Sequence, residues 1–231
     1  MKNYNVSEIK NLLATAKTAL IAVPQLNIDS IGSALALALL LKKSNISTKV
    51  YCPQKTDANY TKLSGLELLT DNYNSNDLIV TLDYPLDQIE KVTYNQDNGK
   101  LNLVVQTKSG AQKVAENQIL ISNQASIADI NFCFGDEALL GSNSNMVTNG
   151  NWINISPINV EKSWAKASVI DQDAPFSEIL SFLLPMIGLE LTPDSAKNLL
   201  IALRVATQSF SINVSPETFE AGANCLRATQ V

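Results

Sequence analysis

The apolar run Ala19-Leu20-Ile21-Ala22-Val23 leads through Asn27-Ile28-Asp29-Ser30-Ile31-Gly32-Ser33 into Ala34-Leu35-Ala36-Leu37-Ala38-Leu39-Leu40-Leu41. No other segment restricts the fold as much. The first run has the length of a buried strand and the last that of a core helix. Thr48-Lys49-Val50-Tyr51-Cys52, ahead of Pro53, reads as a second strand, so the three pieces close as a βαβ unit with a parallel pair. Asp29 or Ser30 is expected to cap the helix, while Gly32 and Ser33 let its first turn approach a neighbour or a ligand. In open α/β sheets ligands gather at such carboxyl ends of strands, beside helix N-termini that favour negative charge. Asn27, Asp29, Gly32 and Ser33 are therefore the candidate ligand-binding residues.

The chain has no histidine among its 231 residues. That removes Ser-His-Asp and Cys-His nucleophile systems and every zinc or manganese site built on imidazole. Carboxylates, thiols and backbone oxygens are left as metal ligands, suited to magnesium or calcium where several acids converge on one cleft. An apolar content of 45% supports a sizeable core, and the expected organisation is a single domain over residues 1–231. The net charge of −5 argues against a protein that coats nucleic acid, because phosphate contacts demand concentrated Lys and Arg. The polar start, residues 1–11, lacks the shape of a signal peptide, and no apolar stretch is long enough for a bilayer. The expectation is a cytoplasmic protein without membrane contact. Cys52, Cys133 and Cys225 are widely spaced and odd in number, which predicts buried free thiols rather than a disulfide or zinc framework.

Further along, Ile9, Leu12, Leu13 and Ala16 recur at helical spacing and predict a helix over 6–17. A short helix is expected over 60–69, a loop over 71–76, and a buried strand over 78–83 that carries Asp83 to the same sheet edge as Asp29. From Lys91 the pattern turns antiparallel: Lys91-Val92-Thr93-Tyr94 and Leu101-Asn102-Leu103-Val104-Val105 flank a turn with Asn98-Gly99 at its tip. This hairpin reads as an insertion over about 91–122, through Ile119-Leu120-Ile121, suited to supporting a dimer, covering a cleft or packing on the sheet. Strands resume at 130–134 and 152–155, and helices follow at 176–186, 193–205 and 216–227. Thr192-Pro193 and Ser215-Pro216 pair a good N-cap with proline at the first helical position. The fold class is α/β: a mostly parallel βαβ sheet flanked by helices, with an inserted antiparallel hairpin and a helical C-terminus.

Several pieces stand in a significant order. Residues 27–37 come first, then Ile153-Asn154-Ile155, then Ala174-Pro175-Phe176-Ser177-Glu178-Ile179-Leu180, then Leu199-Leu200-Ile201-Ala202-Leu203, Thr207-Gln208-Ser209-Phe210 and residues 213–220. In this order the chain resembles, over nearly its whole length, the DHH phosphoesterases, in particular the bacterial oligoribonuclease and pAp-phosphatase branch. Residues 27–37 are similar to that family's opening motif, His-x-x-Pro-Asp-x-Asp-Ala-Ile-Gly-Ser followed by an Ala/Leu helix. Ile153-Asn154-Ile155 matches the strand leading into Asp-His-His, 174–180 the serine-rich start of the next helix, and the remainder the closing segment.

The resemblance implies a pair of manganese ions held by acids and histidines, which supply hydroxide and neutralise phosphate. Here the opening histidine falls on Val23 and the first acid on Asn27, and only Asp29 remains. Asp-His-His falls on Ser156-Pro157-Ile158 and the late aspartate on Ala206; the middle acid falls near Gly135, with Asp83 or Asp136 as alternatives. Two neighbouring dications repel and need several anionic or imidazole ligands at about 2.0–2.2 Å, which Asp29 and Asn27 do not supply. Val23 and Ile158 are expected to place hydrocarbon in the cleft. Active relatives continue into a substrate-holding domain, which is not expected after Val231. The implied protein is a catalytically silent relative without catalytic residues, metal or cofactor. It binds a nucleotide or phosphate through residues 30–33, or assembles with a second copy or an active homologue. The alternative is a phosphoesterase or oligoribonuclease using Mn or Mg on a rebuilt carboxylate-only site, drawn from Asp29 and Asp83 with Asp171, Asp173 and Glu178.

Overall fold

The computed structural model describes residues 2–72, 79–122 and 128–229. In chain order the elements are α1 (Ser7–Thr15), β1 (Thr18–Ala22), α2 (Ile28–Lys43), β2 (Ser47–Tyr51), β3 (Leu69–Thr70), β4 (Ile79–Leu82), β5 (Ile89–Asp97), β6 (Lys100–Thr107), β7 (Ile119–Ser122), β8 (Ile130–Phe134), β9 (Trp152–Ser156), β10 (Ala165–Ile170), α3 (Phe176–Met186), α4 (Pro193–Ala206) and α5 (Pro216–Thr229). They fall into two compact units, residues 1–73 with 127–231, and residues 74–126.

The first unit is built on a six-stranded sheet in the order β10-β9-β8-β1-β2-β3, with every pair parallel. Strands β8 and β9 are buried at every position, as parallel strands covered on both faces must be. Alternate residues serve two cores. Ile21, Val50, Phe132, Ile153 and Ile155 meet the α-helices on one face, while Ala22, Tyr51, Cys133 and Trp152 meet Leu140, Met146 and Val147 on the other. The second core is covered by residues 137–148, consecutive 3-10 turns interrupted at Gly141, whose φ is 62°.

Helix α2 is buried without a break from Ser30 to Ala38, the signature of a helix apolar all round. Leu35, Leu37 and Leu41 are wholly inaccessible, each worth about 1.5–3 kcal/mol of transfer free energy. Thr192 and Ser195 form a reciprocal cap at the start of α4, and Ser215 and Thr218 exchange backbone-to-hydroxyl bonds of 2.9 and 3.2 Å at the start of α5. Both hydroxyl-proline starts read from the sequence therefore begin helices.

Two expectations are corrected. The strand expected over 78–83 is not part of the parallel sheet: β4 pairs antiparallel with β7 in the second unit, and Asp83 is exposed there, its N–H donating to Gln118 O at 2.8 Å. Leu78, like residues 73–76 of the expected loop, lies outside the described residues. The helix over 60–69 is instead two 3-10 turns, Ala58–Tyr60 and Leu66–Leu68, parted by Gly65 at a φ of 86°. In the second unit β5 and β6 form the expected hairpin, and Asn98 and Gly99 take φ of 50° and 73°, the left-handed pair that a two-residue hairpin turn requires.

Cys52, Cys133 and Cys225 are buried free thiols, and burial pushes Cys133 and Cys225 up to about 12. With so little thiolate, both should react with Ellman's reagent at pH 8 roughly a thousandfold more slowly in the native protein than after denaturation, when all three titrate. Fast labelling of the native protein would contradict this burial.

Candidate functional site

The sheet order reverses between β1 and β8, which places the ligand crevice of an open α/β sheet at their carboxyl ends. Asp29 lies there, in the first turn of α2, but its carboxylate is turned to another helix. It accepts from Phe176 N–H at 2.7 Å, Ser177 N–H at 3.0 Å and the Ser177 hydroxyl at 2.5 Å. Pro175, at the N-cap position of α3, offers no side-chain acceptor, so Asp29 caps α3 from outside. Burial pushes the Asp29 carboxyl above its usual range, the three hydrogen bonds oppose that shift, and the nearby Glu178 charge adds to it.

The cap of α2 is neither Asp29 nor Ser30, as expected, but Asn27, whose Oδ1 accepts from Ser30 N–H at 2.8 Å. The Ser30 hydroxyl donates back to Gln25 O at 2.7 Å. Gly32 serves a close helix crossing: a Cβ there would lie 3.0 Å from Ala202 Cβ and 3.1 Å from Asn198 O. Ser33 is buried, its hydroxyl without a partner among the described residues. The four candidates thus gather at one helix start, where two act as caps and one lets α2 approach α4.

The positions that the resemblance singled out around them bond within the chain itself. Val23 is buried and donates its N–H to Tyr51 O at 2.8 Å. The Ser156 hydroxyl donates to Ile158 O and accepts from Ile158 N–H, both at 3.0 Å. Ile158 does not fill the crevice as expected, because it is 58% exposed. Asp136 pairs with Lys162 at 3.0 Å, which holds its carboxyl below the usual range, and Lys162 also reaches Glu137 at 2.7 Å.

A second polar cluster joins Asp171 and Glu178 to Lys2, Tyr4 and Thr218, three residues that no sequence signal singled out. Lys2 Nζ lies 2.7 Å from Asp171 and 2.5 Å from Glu178. The Tyr4 hydroxyl donates to Asp171 at 2.6 Å and the Thr218 hydroxyl to Glu178 at 2.6 Å. Burial lowers the Lys2 ammonium, but its bonds to Asp171 and Glu178 outweigh that and hold it above its ordinary value. Burial, then Asp171, pushes the Tyr4 phenol up. An open cavity of about 540 Å³ adjoins the cluster, lined by Lys2, Asp173, Glu178, Asn213 and Glu217 among others. Asp171 and Glu178 converge, therefore, on an ammonium rather than on the Asp29 carboxylate.

The donors present do not fit a pair of dications. Both Asp29 oxygens accept hydrogen bonds, Asp171 and Glu178 share the Lys2 ammonium, and among the described residues no three acid or thiol side chains gather as a metal requires. No helix is long and apolar enough to cross a membrane among the described residues.

No family model matches the chain, and no curated protein does. Among solved structures it is similar to the crystal structure of an exopolyphosphatase-related protein from Bacteroides fragilis, with a TM-score of 0.67 and 14% identity, over 98% of this chain and 56% of that one. The chain spans little more than half the length of that protein. At this identity the likeness concerns the fold alone, and the class it defines is an α/β protein built on a parallel sheet flanked by helices.

Proposed function

We propose that this chain is a phosphoesterase-like protein that does not hydrolyse phosphoesters and acts through assembly with a protein partner. What supports this most is the engagement of Asp29, the one family acid left in place, as the cap of α3 through three hydrogen bonds. A carboxylate in that geometry has both oxygens occupied by donors, whereas a metal ligand must turn an oxygen to the ion at about 2.0–2.2 Å. The start of α2 is also poorly suited to phosphate. The Ser30 N–H is taken by Asn27, and Gly32 faces Ala202 rather than a cleft, so one of the donors that make a helix start an anion site is not free.

The test is release of phosphate from pAp and of nucleotides from a short RNA oligomer, with Mn²⁺ and with Mg²⁺. Turnover no faster than the buffer blank is expected for the wild type. Metal-dependent turnover abolished by Asp29→Asn would overturn this reading in favour of the carboxylate-only site.

A further inference from the structure

The hairpin of the second unit carries a feature that the site does not use. A ribbon of two strands is marginal alone and leaves two open edges. The two-residue turn at Asn98-Gly99 makes Asp97 and Lys100 the closing pair, so the peptide groups of Lys91, Thr93, Asn95 and Asp97 face β6 and those of Val92, Tyr94 and Gln96 face outward. Among the described residues no backbone group bonds to this outer edge. One face of the ribbon is apolar and open: Val92 is 59% exposed, Tyr94 74%, Leu101 64% and Leu103 56%.

We propose that the outer edge of β5 pairs antiparallel with β5 of a second copy, about a two-fold axis at Tyr94. The charges of the strand select this partner and this register. With Tyr94 opposite Tyr94 of the second copy, Val92 stands opposite Gln96, so the outward peptide groups bond to one another. Lys91 then stands opposite Asp97, and symmetry makes this pair twice. It falls at non-hydrogen-bonded positions, where facing Cα atoms come to about 4.5 Å and side chains are closest. Sliding the strand by two residues sets Lys91 against Asn95 or Gly99 and loses both pairs. Neither Lys91 nor Asp97 has an ion pair within the chain among the described residues, so both charges are free for the second copy. The contact is isologous and closes at two. It deepens the assembly reading by naming the partner as a second copy, and it rests on that reading for what the association serves.

Sedimentation velocity at low salt tests it. The wild type is expected in a concentration-dependent monomer–dimer equilibrium. Lys91→Asp and Asp97→Lys each weaken it by at least about tenfold, because two attractions become two repulsions. Mixing the two single variants in equal parts restores association, since each then supplies the charge the other lacks, and the double variant associates like the wild type. Both substitutions are at exposed ribbon positions, and circular dichroism checks that each variant is folded. A wild type that stays monomeric overturns the proposal, as does a dimer indifferent to either reversal or not restored by mixing. A monomer that fails to hydrolyse pAp would refute the pairing alone, and a dimer that hydrolyses it would refute the proposed function alone.

Discussion

Asp29→Ala is expected to lower the unfolding free energy by about 3 kcal/mol and the melting temperature by roughly 10 °C. Two losses combine. The start of α3 loses its only side-chain acceptor among the described residues, and the Phe176 and Ser177 N–H groups are left without that partner in a half-buried place. Charge-assisted bonds to an ionised group are individually worth about 1.5–3 kcal/mol. Asp29→Asn keeps the shape but turns amide hydrogens toward one of these donors, and should cost about half as much. Asn27→Ala removes an ordinary cap and should cost about 1 kcal/mol. Urea titration of the three variants checks this order. Unchanged stability of Asp29→Ala would mean that the carboxylate is not the cap of α3.

Lys2→Met should destabilise the protein by about 2–3 kcal/mol near neutral pH, since it leaves Asp171 and Glu178 facing each other without their shared cation. Glu178 is only 3% exposed at its side chain, and removing one partner of a buried ion pair costs about 3–5 kcal/mol; the partial exposure of Lys2 itself reduces that figure. The pH dependence has a definite sign. The folded protein holds the Lys2 proton above its ordinary value of 10.5, so the folded state binds it more tightly than the unfolded one. The stabilisation is complete below 10.5 and is lost as pH rises through the raised value. Wild type and Lys2→Met should therefore converge in stability in strong alkali, which denaturant titration at several pH values measures. A constant difference across that window would show that Lys2 acts through packing alone.

How far the fold could be read from the residues varied with the kind of signal. The βαβ start, the Asn98-Gly99 hairpin and the three closing helices were legible because each is announced by neighbours in sequence: an apolar run, a turn pair that tolerates positive φ, or a hydroxyl followed by proline. Strand β10 was not, since Ala-Lys-Ala-Ser-Val-Ile at the sheet edge is only partly buried and lacks a clear apolar period. Residues 137–148 were not either, because 3-10 turns repeat too briefly to leave a pattern. The apolar run ending at Asp83 reads as a strand, but nothing in it states which sheet it joins; β7 decided that.

At the candidate site the same division holds. The absence of histidine was plain in the sequence, and it bounded the chemistry without any coordinates. The role of Asp29 was not plain. A carboxylate in the first turn of one helix has every local reason to cap that helix, and its actual work on α3 depends on a helix start 147 residues away. Lys2 and Tyr4 likewise meet acids 167 or more positions distant. Composition, periodicity and turn chemistry are carried by adjacent residues, and so the sequence alone determined the βαβ start, the hairpin, the closing helices and the lack of imidazole. Which donor a given oxygen meets within about 3 Å is set by how the helices pack on the sheet, and only the tertiary structure decided it.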